Sequence, residues 1–226
     1  MQSLPDEQSG QFRLPSVGCL FVGGGSLTGK STAVRELLEN HRLVFERPFQ
    51  HLVLAMGHGD VQQYERLLRM FKPSSRRVIE TFDAEQWRAM AFQPGTVFVV
   101  DDFVVEVGKS PWLEHFVTRG ASRAGVLLVL ISQMIHSKTL PYLATALKNA
   151  ETILLPVHLR NRMSAANMSI QIFGNSRTIS TAFDLARKNA VRYLIVNMSP
   201  RCDDRLRLTG NRSGAADWVA FVENDR

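Results

Sequence analysis

A glycine-rich stretch with a single lysine, GGGSLTGKST at positions 23–32, has the residue types and spacing that most clearly indicate chemistry. Gly24, Gly29, Lys30 and Ser31 match the pattern G-x4-G-K-[ST]. Glycine lets the backbone wrap a ligand with its N–H groups pointing inward, and a helix that starts here adds partial positive charge. A lysine in this position reaches the β- and γ-phosphates of a nucleotide, and the serine hydroxyl is a magnesium ligand. The stretch therefore predicts a phosphate-binding loop.

The alternative for this stretch is a glycine-rich turn that does no more than cap a helix. We favour nucleotide binding because an apolar strand, CLFVG, precedes the motif and an amphipathic helix follows it, as the mechanism requires. The predicted ligands are ATP and Mg2+. Contacts to the nucleotide are assigned to Gly24, Gly25, Ser26, Leu27, Thr28, Gly29, Lys30, Ser31 and Thr32.

Two adjacent carboxylates, Asp101 and Asp102, follow the apolar run TVFVV. A carboxylate at the carboxyl end of a buried parallel strand faces the ligand crevice of an α/β sheet. We expect Asp101, as the Walker B aspartate, to hold magnesium directly or through water, and Asp102 to orient or polarise the attacking water. The alternative for Asp102 is that it only caps the turn that follows. Asp60 and Asp83 are competitors, but neither follows a comparable apolar strand.

A polar amide follows the next apolar run, since Gln133 ends VLLVLISQ. Carboxyl ends of parallel strands share one edge of a sheet, so this amide can bond both the γ-phosphate and the attacking water. A lone glutamine is more often a surface residue. Its place at the end of an apolar strand is what favours a catalytic role for Gln133.

Two arginines, Arg119 and Arg123, lie in TRGASRAG just before that strand. Arginine can neutralise the charge that develops in the transition state of phosphoryl transfer, in its own subunit or in a neighbouring one. Because this segment precedes the strand that ends in Gln133, we expect it at the opposite end of that strand from the phosphates. The arginines would then reach across to a neighbour's site; otherwise they are surface residues.

Alternating strands and helices must position these residues. Six apolar segments predict strands: VGCLFVG, HLVLAMG, RRVIET, TVFVVDDF, GVLLVLISQ and ETILLPV. Five segments between them predict helices: STAVRELLENH, DVQQYERLLRMF with Asp60 as N-cap, AEQWRAMAF stopped by Pro94-Gly95, PWLEHFVTRG ending at Gly120, and LPYLATALKNA. Strands without polar alternation, separated by helices, indicate a mostly parallel sheet with helices on both faces. The predicted fold class is α/β, a P-loop NTPase of RecA/ASCE type.

The pattern changes after about residue 158. The segments HLRNRMSAANMSIQIFG, ISTAFDLARKN, VRYLIVNMSP and RCDDRLRLTGN predict two helices and then two strands. We favour a C-terminal helix pair plus edge strands, added to the same sheet, over a second domain. The predicted organisation is a flexible N-terminal lead-in at 1–15, a P-loop ATPase domain at 16–211 and a C-terminal tail at 212–226.

Composition sets the outer limits of the function. The chain has 226 residues, of which 45% are hydrophobic and 21% charged, as expected of one large globular domain. It has no apolar run of about 18 residues for a membrane span, and its N-terminus lacks the apolar region of a secretory signal. Cys19 and Cys202 form no ligand cluster, which fits a reducing intracellular compartment. The net charge of +6 mildly favours an anionic partner.

The order of these parts resembles the FtsK/HerA superfamily of ring-forming DNA pumps, and within it the viral genome-packaging ATPases of poxviruses, adintoviruses and Maverick/Polinton elements. The likeness runs from about Gly18 to Asn211. VVDDF is similar to that family's Walker B strand, RGASRAGVLLVLISQMIHSK to the segment leading into its sensor glutamine, and AFDLARKNAVRYLIVNMSPRCDDRLRLTGN to its closing strand pair. ALKNAETILLPVHLRNRM corresponds to the family's asparagine-bearing turn, strand and basic run.

The chain departs from the family pattern in two places. Ala121, Ser122 and Arg123 stand after "RG", where the family has histidine or bulkier polar residues. Arg160 and Arg162 lie in LRNRM rather than in the usual order. These departures leave the choice of arginine finger open.

The resemblance implies an ATPase that pumps viral or transposon double-stranded DNA into a capsid. It implies a homo-oligomeric ring, pentamer or hexamer, with capsid or portal-vertex proteins as further partners and no membrane. It also implies an intracellular location at the site of virion assembly, in the nucleus or cytoplasm, and association with the virion. A positively charged channel would bind DNA phosphates. Candidate contacts are Arg76, Arg77, Arg160, Arg162, Arg205 and Arg207.

Two other classes of protein share parts of this pattern. A small-molecule or nucleoside kinase has the same phosphate loop, but it needs an acceptor pocket and an arginine-rich lid, and no segment here clearly supplies that lid. A non-catalytic, nucleotide-gated DNA-binding scaffold would not need the carboxylate pair and the glutamine. Paired aspartates followed by a glutamine-bearing strand favour hydrolysis over both alternatives.

Overall fold

The computed structural model describes residues 2–3, 12–57, 61–134, 139–157, 162–199, 202–203, 206–212 and 218–222. The strands are β1 (Gln2–Ser3), β2 (Gly18–Gly23), β3 (His51–Met56), β4 (Arg76–Ile79), β5 (Thr96–Asp101), β6 (Val126–Ser132), β7 (Thr152–Pro156), β8 (Tyr193–Asn197), β9 (Leu208–Asn211) and β10 (Trp218–Val222). The helices are α1 (Lys30–Glu39), α2 (His41–Val44), α3 (Glu65–Met70), α4 (Ala84–Arg88), α5 (Val104–Gly108), α6 (Pro111–His115), α7 (Ala121–Ala124), α8 (Pro141–Lys148), α9 (Arg162–Phe173) and α10 (Thr178–Lys188). Short 3-10 turns cover Val61–Tyr64 and Pro73–Ser75, and a π turn, Phe116–Gly120, joins α6 to α7.

The strands of the described residues form one ten-stranded sheet in the order β1-β10-β9-β8-β7-β2-β6-β5-β3-β4. The six strands from β7 to β4 in this order run parallel, and β8, β9, β10 and β1 continue the sheet antiparallel. Because β6 lies between β2 and β5, the carboxyl ends of these three strands are neighbours. The predicted α/β class, with edge strands after a C-terminal helix pair, is confirmed.

Helices pack on both faces of the sheet, which is why its central strands are buried on both sides. On one face α1 contributes Val34, Leu37 and Leu38, each at most 1% exposed. The other face holds an aromatic cluster around Trp87 and Trp112, whose ring centroids lie 5.1 Å apart. Full burial of one valine or leucine side chain stabilises a fold by about 1.5–3 kcal/mol. Apolar packing on both faces therefore stabilises the parallel part of the sheet.

The helix that begins at Pro111 is longer than predicted. It passes through Gly120 in the π turn and ends after α7 at Gly125, whose φ is +67°. A Cβ at position 120 would come within 2.9 Å of the Phe116 ring, so glycine here makes room for that ring and does not stop the helix. The left-handed backbone at Gly125 is the feature that ends it.

Two other predicted helices differ at their ends. AEQWRAMAF is helical only as α4, with Asp83 as its N-cap, accepting from the N–H groups of Glu85 and Gln86 at 2.9 and 3.1 Å. Trp87 is the buried side chain of this short helix, so little apolar burial supports a longer one. The helix predicted from Asp60 is the 3-10 turn followed by α3, and Asp60 lies outside the described residues.

Described residues within the predicted lead-in and the predicted tail are buried against the sheet. Within the predicted tail at 212–226, β10 pairs with β9, and Trp218 is 2% exposed. Within the predicted lead-in at 1–15, Phe12 and Leu14 are buried, and the Phe12 ring meets Trp218 edge-on at 5.0 Å. Apolar burial therefore ties both segments to the sheet. None of the helices in the described ranges has the length and apolar character needed to cross a membrane.

Candidate functional site

The predicted phosphate loop connects β2 to α1 at the carboxyl edge of the sheet. The Gly24 N–H donates to the Ser132 carbonyl at 3.1 Å, which ties the loop to the end of β6. The Thr28 hydroxyl donates to the Gly25 carbonyl at 2.8 Å. Leu27 and Gly29 have left-handed φ values of 60° and 82°, and the Leu27 side chain is fully exposed. The loop is thus a tight turn that is tied to the end of β6 and opens to solvent.

The amino terminus of α1 faces this loop. Gly29 is its N-cap, no side chain caps it, and its first turn carries no acidic residue. The first N–H groups of a helix have no partners within the helix, and together with the helix dipole they favour a bound anion. Gly29 leaves open space there, since a Cβ added to it would have no atom within 4 Å. The arrangement fits a phosphate group.

Lys30 supplies the positive charge inside the loop. Its side chain is 7% exposed, and Nζ donates to the Gly25 carbonyl at 2.7 Å. Burial lowers the pKa of this ammonium group, and the carboxylates of Asp101 and Asp102 act in the opposite direction. The lysine is therefore held at the loop and close enough to both carboxylates to be affected by their charge.

Asp101 ends β5 and is bonded to the loop. It is 5% exposed, and its Oδ2 accepts from Ser31 Oγ at 2.9 Å and from the Tyr64 hydroxyl at 2.8 Å. Burial, with the charge of Asp102 as a smaller cause, raises the pKa of this carboxyl above its ordinary value, although the two hydroxyl donors and Lys30 act in the opposite direction. Burial and the neighbouring carboxylate raise the pKa of Tyr64, so the phenol keeps the proton that it donates.

Asp102 is next to Asp101 in sequence but differs from it in environment. It is exposed, and its backbone is left-handed, with φ +66°. Aspartate and asparagine are among the few non-glycine residues that adopt this conformation readily. The backbone reversal ends the strand and leaves the second carboxylate at the solvent side of the site.

Gln133 follows β6 and meets the phosphate loop directly. Its Oε1 accepts from Ser26 Oγ at 2.9 Å, and both side chains are exposed. The structure therefore brings together the loop, the carboxylate pair and the glutamine, as the strand order requires. These groups come from the carboxyl ends of three adjacent strands.

Arg119 and Arg123 are not part of this cluster. Arg119 lies in the π turn and Arg123 in α7, and both are exposed. The helix ends at Gly125, whose carbonyl accepts from the Gly95 N–H at 2.9 Å beside the start of β5. The arginine segment thus leads into the amino ends of the strands, whereas the loop lies at their carboxyl ends.

The donor set fits a magnesium nucleotide. Free helix N–H groups and Lys30 suit phosphate oxygens, and the Ser31 hydroxyl with the Asp101 carboxylate supplies the hard oxygen ligands that Mg2+ prefers. Asp102 and Gln133 lie at the open side of the same edge. Thr32 is exposed in the first turn of α1.

Tyr64 is a site residue that the sequence did not indicate. It occurs in VQQYERLL, where a single tyrosine is ordinary for a helix face. Its contact with Asp101 joins positions 37 residues apart, and no local pattern encodes such a contact.

The arginines considered as DNA contacts are spread across the fold. Arg76 and Arg77 lie on β4 at one edge of the sheet, and Arg207 lies just before β9 on the other side. Arg76 donates to the Leu68 carbonyl at 2.6 Å, and Arg207 to the Asn197 carbonyl at 3.3 Å. Arg162 begins α9, and its side chain lies outside the described part of the chain, as do Arg160 and Arg205.

The strand order, the loop between β2 and α1 and the carboxylate bonded to the loop serine define a P-loop NTPase fold. Neither a protein-family model nor a curated protein sequence matches the chain. Among solved structures the chain is similar to the genome packaging NTPase B204 of Sulfolobus turreted icosahedral virus 2, in complex with ATP-gammaS. The two sequences are 17% identical and the TM-score is 0.49; the match covers 80% of this chain and 92% of B204. It is also similar to the Legionella pneumophila ATPase DotB, at 15% identity and a TM-score of 0.33 over 68% of this chain and 44% of that one.

Proposed function

We propose that this chain binds ATP with Mg2+ and hydrolyses it. The observation that carries the proposal is the 2.9 Å bond between Ser31 and Asp101 beside the buried Lys30. It supports the proposal because P-loop enzymes use a lysine for the phosphates and a hydroxyl with a carboxylate for magnesium. In this proposal the N–H groups at the start of α1 and the Lys30 ammonium bind the phosphates. Ser31 and Asp101 hold Mg2+, which supplies further positive charge to the phosphate oxygens when bound.

The attacking water is handled by the exposed groups of the site. Asp102 accepts a hydrogen bond from the water and orients it for in-line attack, and a carboxylate in this role also accepts its proton. The Gln133 amide fixes the water and the terminal phosphate, and its bond to Ser26 at 2.9 Å holds it against the loop. In this proposal the buried Asp101 binds Mg2+ and Asp102 binds the attacking water, so the two adjacent aspartates have separate roles.

Arg119 and Arg123 are proposed to serve a neighbouring subunit. Both are exposed and lie on the helix that leads to the amino ends of the strands, away from their own phosphate loop. An arginine supplied from a neighbour completes a site only in an assembly, so we propose a homo-oligomeric ring, a pentamer or hexamer. A ring with a net charge of +6 per chain would bind the phosphates of double-stranded DNA in its channel.

We propose that ATP hydrolysis by this chain drives genome packaging. The resemblance to viral packaging ATPases, which covers the Walker B strand, the glutamine strand and the closing strands, supports an ATP-driven DNA translocase that fills a capsid. Capsid or portal-vertex proteins would be its further partners, at the intracellular site of virion assembly. The chain departs from the family pattern in the arginine segment and in LRNRM, which holds Arg160 and Arg162, so the choice of arginine finger needs a direct test.

The test is phosphate release from ATP by the purified chain, with Mg2+, with and without double-stranded DNA. We expect turnover that DNA increases. Lys30→Ala should lower nucleotide affinity by about 10- to 150-fold, because charge-assisted bonds contribute about 1.5–3 kcal/mol, and should abolish turnover. Lys148→Ala, which removes an exposed lysine at the end of α8, is the matched control and should behave as the unaltered chain.

Two outcomes would contradict this function. Transfer of phosphate to a small acceptor in place of water would make the chain a kinase. Nucleotide binding without turnover, in an assembled ring with DNA present, would make it a scaffold.

A further inference from the structure

Tyr64 contacts the carboxylate that the proposed function assigns to magnesium. It is the last residue of the 3-10 turn Val61–Tyr64, which follows β3, and it is 0% exposed. Its hydroxyl donates to Asp101 Oδ2 at 2.8 Å, and the same oxygen accepts from Ser31 Oγ at 2.9 Å. One carboxylate oxygen therefore receives a hydroxyl from the phosphate loop and another from a separate element.

These two hydrogen bonds determine which oxygen of the Asp101 carboxylate is available to an ion. A carboxylate oxygen has two lone-pair positions, so Oδ2 is fully occupied by Ser31 and Tyr64. Oδ1 is then the oxygen that remains for an ion or its water ligand. With a single donor from Ser31, the carboxylate would be free to rotate about its Cβ–Cγ bond. The second donor, from a separate element, restricts that rotation.

We propose that Tyr64 is a positioning residue for the magnesium site, whose hydroxyl fixes the orientation of the Asp101 carboxylate against Ser31. The inference rests on the proposed function, because it concerns the same metal site. Groups that orient metal ligands typically change metal affinity by about 10- to 100-fold when they are removed. The tyrosine thereby links the segment after β3 to the site on β5.

Tyr64→Phe isolates this role, because it removes the hydroxyl and keeps the buried ring. Tyr193→Phe is the matched control: Tyr193 is also buried, and its hydroxyl donates to Glu36 at 3.4 Å, on the antiparallel side of the sheet. Thermal unfolding of both variants in EDTA shows whether either change harms the fold itself. We expect similar melting temperatures for the two variants.

The measurement is binding of a fluorescent ATP analogue, first in EDTA and then across a Mg2+ titration. Tyr64→Phe should bind the analogue in EDTA within about twofold of the unaltered chain, while the Mg2+ concentration at half-maximal effect rises by about 10- to 100-fold. Tyr193→Phe should leave both values unchanged. An unchanged Mg2+ midpoint in Tyr64→Phe, or the same shift in Tyr193→Phe, would overturn the proposal.

A second comparison asks whether the hydroxyl acts through the carboxylate. In an Asp101→Asn background, Tyr64→Phe should cause little further change in the Mg2+ midpoint, because coupled residues are not additive. The full shift in that background would contradict the proposal.

If the unaltered chain binds nucleotide with no dependence on Mg2+, the proposed magnesium site is wrong, and the proposed role of Tyr64 is wrong with it. If that dependence is present and only the Tyr64 effect is missing, the proposed function stands and this inference alone fails.

Discussion

Asp101 and Asp102 are adjacent residues with the same side chain, yet the structure gives them opposite environments. Asp101 is 5% exposed and accepts two hydroxyl donors, whereas Asp102 is exposed on a left-handed backbone. A buried, oriented carboxylate suits a metal, and an exposed one suits a water molecule that must enter and leave. This difference in burial is the physical basis for assigning them different chemistry.

The separate roles can be tested with Asp102→Asn. Asparagine tolerates the left-handed backbone as aspartate does, so the variant removes the charge without adding strain. We expect nucleotide affinity close to that of the unaltered chain and turnover slower by about 100-fold or more, as for the loss of a general base. Equilibrium binding of a fluorescent nucleotide and steady-state phosphate release measure the two quantities.

Asp101→Asn is the comparison for that experiment. It should weaken Mg2+-dependent nucleotide binding, because it alters the oxygen donors beside Ser31. Normal turnover in Asp102→Asn, together with loss of turnover in Asp101→Asn, would reduce Asp102 to a turn residue.

At the scale of elements, the short connection from α1 through α2 to β3 depends on a neutral histidine. His41 begins α2 and is 5% exposed, its Nδ1 accepts from the Phe49 N–H at 2.9 Å, and its ring stacks on Phe49 and Phe71. Burial, with the charge of Arg42 as a second cause, lowers the pKa of His41 below its ordinary value of 6.5. An imidazole that accepts at Nδ1 cannot take a proton there and keep this bond.

The sign of the pH effect follows from that lowered pKa. Below pH 6.5 the unfolded chain binds a proton at His41 more readily than the folded chain does, so stability is lost as the pH falls from 6.5 through the lower folded pKa. His41→Asn keeps an acceptor at a similar position but does not titrate, so it should lose less stability between pH 7 and pH 5. Melting temperatures of both proteins across this range give the comparison, at about 2–4 °C per kcal/mol.

Carboxylates contribute to acid destabilisation in both proteins. The effect of His41 is therefore the difference in melting temperature between the unaltered chain and His41→Asn at each pH. His41→Asn also removes ring packing, which lowers its melting temperature by an amount that does not depend on pH. Parallel pH curves for the two proteins would show that His41 is not responsible for the acid effect.

At the scale of the whole molecule, the arginine segment and the phosphate loop lie toward opposite ends of the strands. If Arg119 or Arg123 completes a neighbour's site, activity should rise more steeply than linearly with protein concentration, and further when DNA templates assembly. An Arg119→Ala, Arg123→Ala double variant and a Lys30→Ala variant should each be inactive alone. Mixed rings of the two would contain some interfaces with an intact loop on one side and intact arginines on the other. DNA-stimulated phosphate release should therefore partly recover on mixing.

Sizing of the mixtures is the control, because recovery requires that the two variants assemble together. No recovery in rings shown to be mixed would count against action between subunits. Full activity of the double arginine variant by itself would remove both residues from the mechanism.

The sequence by itself determined the parts of this protein that depend on local spacing. The G-x4-G-K-[ST] loop, the buried strands without polar alternation and the helices between them follow from neighbouring residues, and the mostly parallel α/β sheet follows from their alternation. The placement of Asp101 and Gln133 at the same edge was also predictable, because parallel strands end on one side. Helix ends were harder to predict, because Gly120 makes room for the Phe116 ring inside the helix and does not end it.

Contacts between distant segments were decided only by the tertiary structure. The order that sets β6 between β2 and β5 joins Ser26 to Gln133, and packing of the turn after β3 brings Tyr64 to Asp101. The contact between the buried Phe12 and Trp218 likewise joins two segments that are about 200 residues apart in the chain. These contacts depend on which apolar surfaces meet when the whole sheet assembles, and residue spacing along the chain carries no record of that choice.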